Sequence, residues 1–155
     1  MAILDQIDRQ LLSELQEEGR ITNVELAQRV GLTAPPCLRR VRSLEEDGII
    51  RGYHAELDAS KLGFTITVFA MVSLISQAEE SLRAFEAAMR DLPEVREVHM
   101  LNGEIDFILK IVSRDLQTFQ EFLTSKLTPA PNVASVKTSL TIRTSKYEPG
   151  VPLEV

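Results

Sequence analysis

Apolar residues in the first third of the chain recur every three to four positions, the spacing of one helix face. Ile7, Leu11, Leu12 and Leu15 form such a stripe between Leu4 and Gly19. They predict a first helix capped by Asp5 and stopped by a left-handed Gly19. Val24, Ala27 and Val30, with Leu26 beside them, predict a second helix. Thr22 and Glu25 have the spacing of a capping box at its start, and Gly31 ends it. Gly31-Leu32-Thr33 then reads as a tight turn into a third helix. Pro35 and Pro36 are tolerated in its first turn, where the N–H groups have no intrahelical partner. Leu38, Val41 and Leu44, followed by Ile49 and Ile50 beyond Gly48, are expected to point inward. Arg39, Arg40, Arg42 and Ser43 then face out. Residues 49–54 (IIRGYH) read as a short strand, the start of a wing.

The period changes after a linker at 58–61. Residues 64–74 (FTITVFAMVSL) are strand-like, rich in β-branched and aromatic side chains. A helix is predicted over 78–90, with Leu82, Phe85, Ala88 and Met89 on one face. Residues 95–100 alternate with period two, Asn102-Gly103 is a hairpin signal, and 106–112 (DFILKIV) is the return strand. A second helix follows over 116–127, carrying Leu116, Phe119, Leu123 and Leu127, and a last strand over 133–143. The order strand-helix-strand-strand-helix-strand is ferredoxin-like, with helices on one sheet face only. Val68, Phe69, Met71 and Val72 are apolar on both alternations, so the other face is expected to meet a partner.

The predicted class is therefore α+β: a winged helix-turn-helix over 1–52, a strand or linker over 53–62, and a ferredoxin-like domain over 63–155 that is expected to oligomerise. The 155 residues suit two small domains. Hydrophobic residues at 44% and charged ones at 26% are ordinary globular values. No apolar run approaches the roughly 20 residues of a membrane span, and the acidic start MAILDQID lacks the basic segment of a signal peptide. One cysteine gives no internal disulfide. His54 and His99 lack companions at metal-ligand spacing, so no metal or cofactor is expected. A cytoplasmic protein is the reading these features favour.

A net charge of −6 runs against binding nucleic acid, whose affinity comes largely from phosphate neutralisation. Its distribution matters more. From Leu26 to Leu44 there is no acid, while Arg29, Arg39, Arg40 and Arg42 lie within that window. By charge alone, a solvated basic face and a DNA-facing one are not distinguished. The capped helix, short glycine turn and arginine-bearing second helix add the geometry of a helix-turn-helix, whose second helix enters the major groove. Arg39 and Arg40, in its first two turns, are the better candidates for base edges; Arg42 is equally placed for phosphate. Asn23, Thr33, Pro35, Pro36 and Ser43 complete the candidate DNA-binding set. Cys37 reads first as a small hydrophobe; nearby arginines that lower a thiol pKa offer a redox-sensor alternative.

These residues carry a family resemblance. Leu4-Asp5-x-Ile7-Asp8 and Gly19-Arg20-Ile21-Thr22-Asn23-Val24-Glu25-Leu26-Ala27 resemble the leucine-responsive/asparagine-synthase (Lrp/AsnC) regulators. So do Val30-Gly31-Leu32-Thr33, Pro35-Pro36-Cys37-Leu38-Arg39-Arg40-Val41-Arg42-x-Leu44-Glu45 and Gly48-Ile49-Ile50-x-Gly52-Tyr53. The ordered set covers nearly all of residues 4–58. The resemblance implies that the third helix reads double-stranded DNA, that the chain forms a homodimer through the second domain, and that dimers assemble further, often into octamers.

It also implies an effector segment around Leu101, Asn102, Gly103, Glu104 and Asp106, where the family commonly has a small residue, glycine, an acid, a hydrophobe and aspartate. This chain departs at Asn102 and Glu104. An amino acid is the expected effector: backbone N–H groups around Gly103 suit its carboxylate, and Glu104 or Asp106 its ammonium. Ser139 and Thr141 align with family positions that influence effector response. By turn chemistry alone, Glu104 and Asp106 are simply solvated acids. The competing class is a ferredoxin-like enzyme using those two carboxylates, but there is no nucleophile motif, phosphate loop or metal spacing. His99 reads as structural.

Overall fold

The computed structural model describes residues 4–154 and groups them into two compact units, 4–56 with 146–154, and Leu57–Ser145. The first unit contains α1 (Gln6–Glu17), α2 (Asn23–Arg29) and α3 (Ala34–Glu46). Asp5 caps α1 by accepting from the Asp8 N–H, and Asp8 returns the bond to the Asp5 N–H. Gly19 is not left-handed, contrary to expectation; α1 stops at Glu18, whose N–H still donates to the Glu14 carbonyl. Thr22 caps α2, but Glu25 turns to Arg29 instead of closing a capping box. Leu11, Leu26, Ala27, Val30, Cys37 and Val41 form the core.

Two inward assignments change. Val24 is 58% exposed and Leu38 is 38% exposed. Cys37 is fully buried in place of Leu38. The inner stripe of α3 is thus Cys37, Val41 and Leu44, at spacings of four and three. The expected strand over 49–54 is not formed; residues 51–57 carry no strand pairing.

The second unit follows β1 (Ile66–Leu74), α4 (Glu79–Arg90), β2 (Val95–Met100), β3 (Phe107–Ser113), α5 (Leu116–Phe122) and β4 (Val133–Leu140). A π-helical turn, Leu123–Leu127, continues α5. The strands form one antiparallel sheet in the order β2-β3-β1-β4, as the ferredoxin-like reading requires. Val68, Ala70, Val72, Phe107, Leu109 and Ile111 meet Phe85, Met89, Phe119, Phe122 and Leu127 in the core. Leu116, expected on the inner face of α5, is exposed. The opposite sheet face presents Phe69, Met71, Ile108 and Val112, none of them buried. Among the described residues no helix is long and apolar enough to cross a membrane.

Glu97 and Asp115 are among the carboxylates that tie this unit to pH. Lys110 donates to Glu97 at 2.9 Å and, with His99 beside it, holds the Glu97 carboxyl below its ordinary 4.5. The Thr118 N–H donates to Asp115 at the start of α5 and holds it below 3.8. A depressed folded-state pKa stabilises above the unfolded value and is lost as pH falls through the folded one. Melting temperature is therefore expected to decline as pH drops below about 4.5. The decline should be shallower in a Glu97→Gln, Asp115→Asn double variant, measured by circular dichroism; identical pH profiles would remove these two groups from the account.

Candidate nucleic-acid interface and effector segment

The turn between α2 and α3 is set by two features. Gly31 sits at φ +70°, a left-handed conformation that L side chains rarely adopt, and lets the Leu32 N–H reach back to the Ala27 carbonyl at 2.8 Å. The Asn23 side-chain N–H donates to the Ala34 carbonyl at 2.8 Å, bracing the start of α2 against the first turn of α3. Asn23 is thereby engaged within the fold. Thr33 stands at the N-cap of α3 but makes no side-chain capping bond, and Pro35 and Pro36 follow in the first turn.

The arginines of the acid-free window divide into two pairs. Arg29 donates to Glu14, Glu18 and Glu25 at 2.8–2.9 Å, joining α2 to α1. These bonds raise its pKa further, the one to Glu14 most. Arg40 donates to Asp5 and Asp8 at 2.8 Å each, pinning α3 to the start of α1. Its pKa is raised, chiefly by the bond to Asp8. Asp5 is lowered in turn, first by the Asp8 N–H and then by Arg40. Arg39 and Arg42 have no ion-pair partner among the described residues. With Pro35, Leu38, Ser43 and Glu46 they line an open depression on the outer side of α3. Exposed Leu38 was missed as part of this surface. The signal lay in Cys37 at the four-residue spacing to Val41. Burial pushes the Cys37 thiol up, so the neighbouring arginines do not activate it as a thiolate. Behind α3, Tyr53 donates to Glu45 at 2.9 Å, and burial with this bond pushes its phenol up to about 12.

In the second unit, Asn102 and Gly103 do not form the expected tight hairpin turn. Neither is left-handed. The connection instead spans 101–106, closed by the Leu101 N–H donating to the Asp106 carbonyl at 2.8 Å. The Asp106 N–H donates to the Val72 carbonyl, and its carboxylate accepts from the Leu74 N–H at 2.7 Å. Asp106 thus seals the end of β1, while Leu101, Asn102, Gly103 and Glu104 stay exposed. A side chain at Gly103 would meet open space.

Ser139 pairs with Phe69, and the Thr141 N–H donates to the Thr67 carbonyl. These contacts lie three and five residues along β1 from Val72, roughly 10 and 17 Å at a strand's rise. One chain therefore does not bring Ser139 and Thr141 onto the 101–106 loop. The Thr141 hydroxyl oxygen is shielded from solvent without a hydrogen-bond partner among the described residues. Also among these residues, no group of three or more histidine, cysteine or acidic side chains is placed to hold a metal ion.

Two family models match successive parts of the chain. Residues 4–51 match the family model for winged helix-turn-helix DNA-binding, and residues 67–151 that for the Lrp/AsnC ligand binding domain. The leucine-responsive regulatory protein of Rhizobium meliloti is 54% identical over 143 residues, 92% of each chain. The Bkd operon transcriptional regulator of Pseudomonas aeruginosa is 40% identical, covering 99% of this chain and 100% of that one. A transcriptional regulator from Neisseria meningitidis, solved as its L-Met complex, superposes with a TM-score of 0.92 at 35% identity, covering 97% of each chain.

A helix-turn-helix head and a ligand-binding ferredoxin-like unit define a DNA-binding transcription regulator, not an enzyme. The chain belongs to the Lrp/AsnC family. Its partners are accordingly DNA and a small-molecule effector.

Proposed function

We propose that Arg39 and Arg42 are the cations of α3 that meet DNA, and that an amino acid is the effector. The observation that carries the first part is the division of the arginines: Arg29 and Arg40 are spent on acids of the same unit, whereas Arg39 and Arg42 stand open beside Ser43 and Leu38. A guanidinium here can reach a guanine edge or a phosphate, and the Leu38 side chain suits a thymine methyl. Thr33, Pro35 and Pro36 bring the backbone of the first turn close to phosphate, while Asn23 and Arg40 hold α3 at its angle.

The effector site takes shape between copies of the chain. Support comes from the separation of Ser139 and Thr141 from the 101–106 loop along β1, and from the unpartnered Thr141 hydroxyl. A buried hydroxyl without a partner costs about 1–3 kcal/mol, which a ligand or a second copy relieves. The loop offers backbone N–H groups around Gly103 to a carboxylate and Glu104 to an ammonium; Asp106 keeps only its second oxygen available, because the first accepts from Leu74. The half-exposed apolar side chains Phe69, Met71, Ile108 and Val112 support a homodimer through the open sheet face, with dimers assembling further into rings such as an octamer. The reading is of a cytoplasmic regulator whose assembly state, biased by the effector, selects which half-sites its paired heads reach.

Thermal-shift screening against the twenty amino acids tests the effector. Methionine and leucine come first, since one relative was solved with L-Met and another is named leucine-responsive. A ligand at about 100 times its Kd adds roughly 2.7 kcal/mol to the native state, a rise of several degrees. No shift with any of the twenty at millimolar concentration would sink the amino-acid assignment.

A further inference from the structure

The segment 146–154 lies far along the chain from the helix-turn-helix, yet it belongs to the same compact unit. One side chain of α1 binds it directly. The Gln16 amide, near the end of α1, donates from Nε2 to the Val151 carbonyl at 3.1 Å. Its Oε1 accepts from the Val151 N–H at 2.8 Å. A single amide thus satisfies both backbone groups of one residue, as a neighbouring strand does at one rung of a ladder. The tail is shaped for this. In Glu148-Pro149-Gly150-Val151 the proline fixes its own φ and Gly150 stands at φ +91°, a left-handed conformation open to glycine. A Cβ at Gly150 would overlap the Gln16 amide and force it away. Pro149 and Pro152 flank the bonded residue and lower the conformational entropy lost on docking. Leu153 beyond them is half-buried, whereas Val151 and Pro152 stay exposed.

We infer that the C-terminal tail is a working part of the DNA-binding head, strapped to α1 by Gln16, and that Gln16 is a positioning residue for DNA recognition. The chain crosses between the two units twice, after 56 and after 145. With the tail docked, each head is tethered at both ends of the ligand-binding unit; with it released, by one linker only. Two tethers restrict the orientations a head samples, so less entropy is lost when paired heads engage half-sites at fixed spacing. The spacing consequence rests on the paired-head reading above; docking of the tail does not.

Hydrogen exchange of the Val151 amide, in the full chain, tests docking. Gln16→Ala and Gly150→Val break the strap from opposite sides, and Glu17→Ala is the matched surface control. Expected is protection of Val151 in the wild type and in Glu17→Ala, with exchange about tenfold faster in the other two. Equal exchange in all four overturns the strap. A gel-shift series on duplexes with two half-sites at varied spacing tests its effect. The wild type is expected to prefer one spacing, and the strap variants to bind all spacings within about twofold while keeping single-half-site affinity. Strap variants with the wild-type spacing profile overturn the positioning role. A wild type indifferent to spacing defeats the paired-head reading and with it that role, while Val151 exchange still decides whether the tail docks.

Discussion

Replacing Arg39 and Arg42 together by alanine is expected to weaken duplex binding by about a hundredfold or more, with the fold unchanged. Each side chain is open and unpaired among the described residues, so its removal leaves no buried partner stranded. A bidentate contact to a base is worth about 1–3 kcal/mol of discrimination. A phosphate contact adds about 0.9 to the slope of log affinity against log salt. Single variants separate these roles: loss of a base reader relaxes preference at one position, and loss of a phosphate contact flattens the salt slope by about one. Arg40→Ala is the informative contrast. Its guanidinium is committed to Asp5 and Asp8, so that variant should lower the melting temperature of the head and leave the salt slope unchanged. A slope reduced by Arg40→Ala as much as by Arg39→Ala would return Arg40 to the DNA-contacting set. Anisotropy titrations between 50 and 200 mM salt, roughly the range over which counterion release is readily seen, supply the binding readings, and thermal denaturation followed by circular dichroism supplies the melting temperature.

The second large effect is on stability. Phe85 on α4 is fully buried, and its ring lies 4.8 Å from that of Phe107 on β3, tilted by 41°. Met89, Leu109 and Leu127 close the surroundings, all at most 1% exposed. Phe85→Ala is expected to cost roughly 3–5 kcal/mol, because the cavity it leaves can only partly collapse. That is a large part of the roughly 5–15 kcal/mol that holds a domain folded. The chain offers an internal control, since its two tyrosines, Tyr53 and Tyr147, both lie in the head unit. Urea unfolding followed by circular dichroism should show an early transition in the variant, while tyrosine fluorescence reports the head. A midpoint shift equivalent to less than about 1 kcal/mol would mean that the Phe85 site repacks and that the sheet does not depend on this contact.

The helices and strands were legible because each buries one face, and burial writes its period into the sequence. The ferredoxin-like order was legible for the same reason. One kind of error fell where the period allows two phases. In α3, residues 37, 41 and 44 and residues 38, 41 and 44 both make an apolar stripe, and only packing against Leu11 and Leu26 chooses the first. At Asn102-Gly103 the dipeptide signals a tight turn. The Asp106 carboxylate, drawn to the Leu74 N–H, instead fixes a longer loop. The two bond partners lie 32 residues apart in sequence.

What the sequence determined by itself is the class: a capped helix, a glycine turn and an arginine-bearing helix, followed by strands and helices in ferredoxin-like order. These features are local, and local chemistry suffices to specify them. The tertiary structure alone decided which charges are free. An acid-free run of arginines looks uniformly basic, but Asp5 and Asp8 reach Arg40, and Glu14, Glu18 and Glu25 reach Arg29. It likewise brought residue 151 to residue 16. Coulomb attraction and hydrogen bonding act over a few ångströms of space whatever the distance along the chain, so only the folded arrangement could say which arginines face outward and which hold the head together.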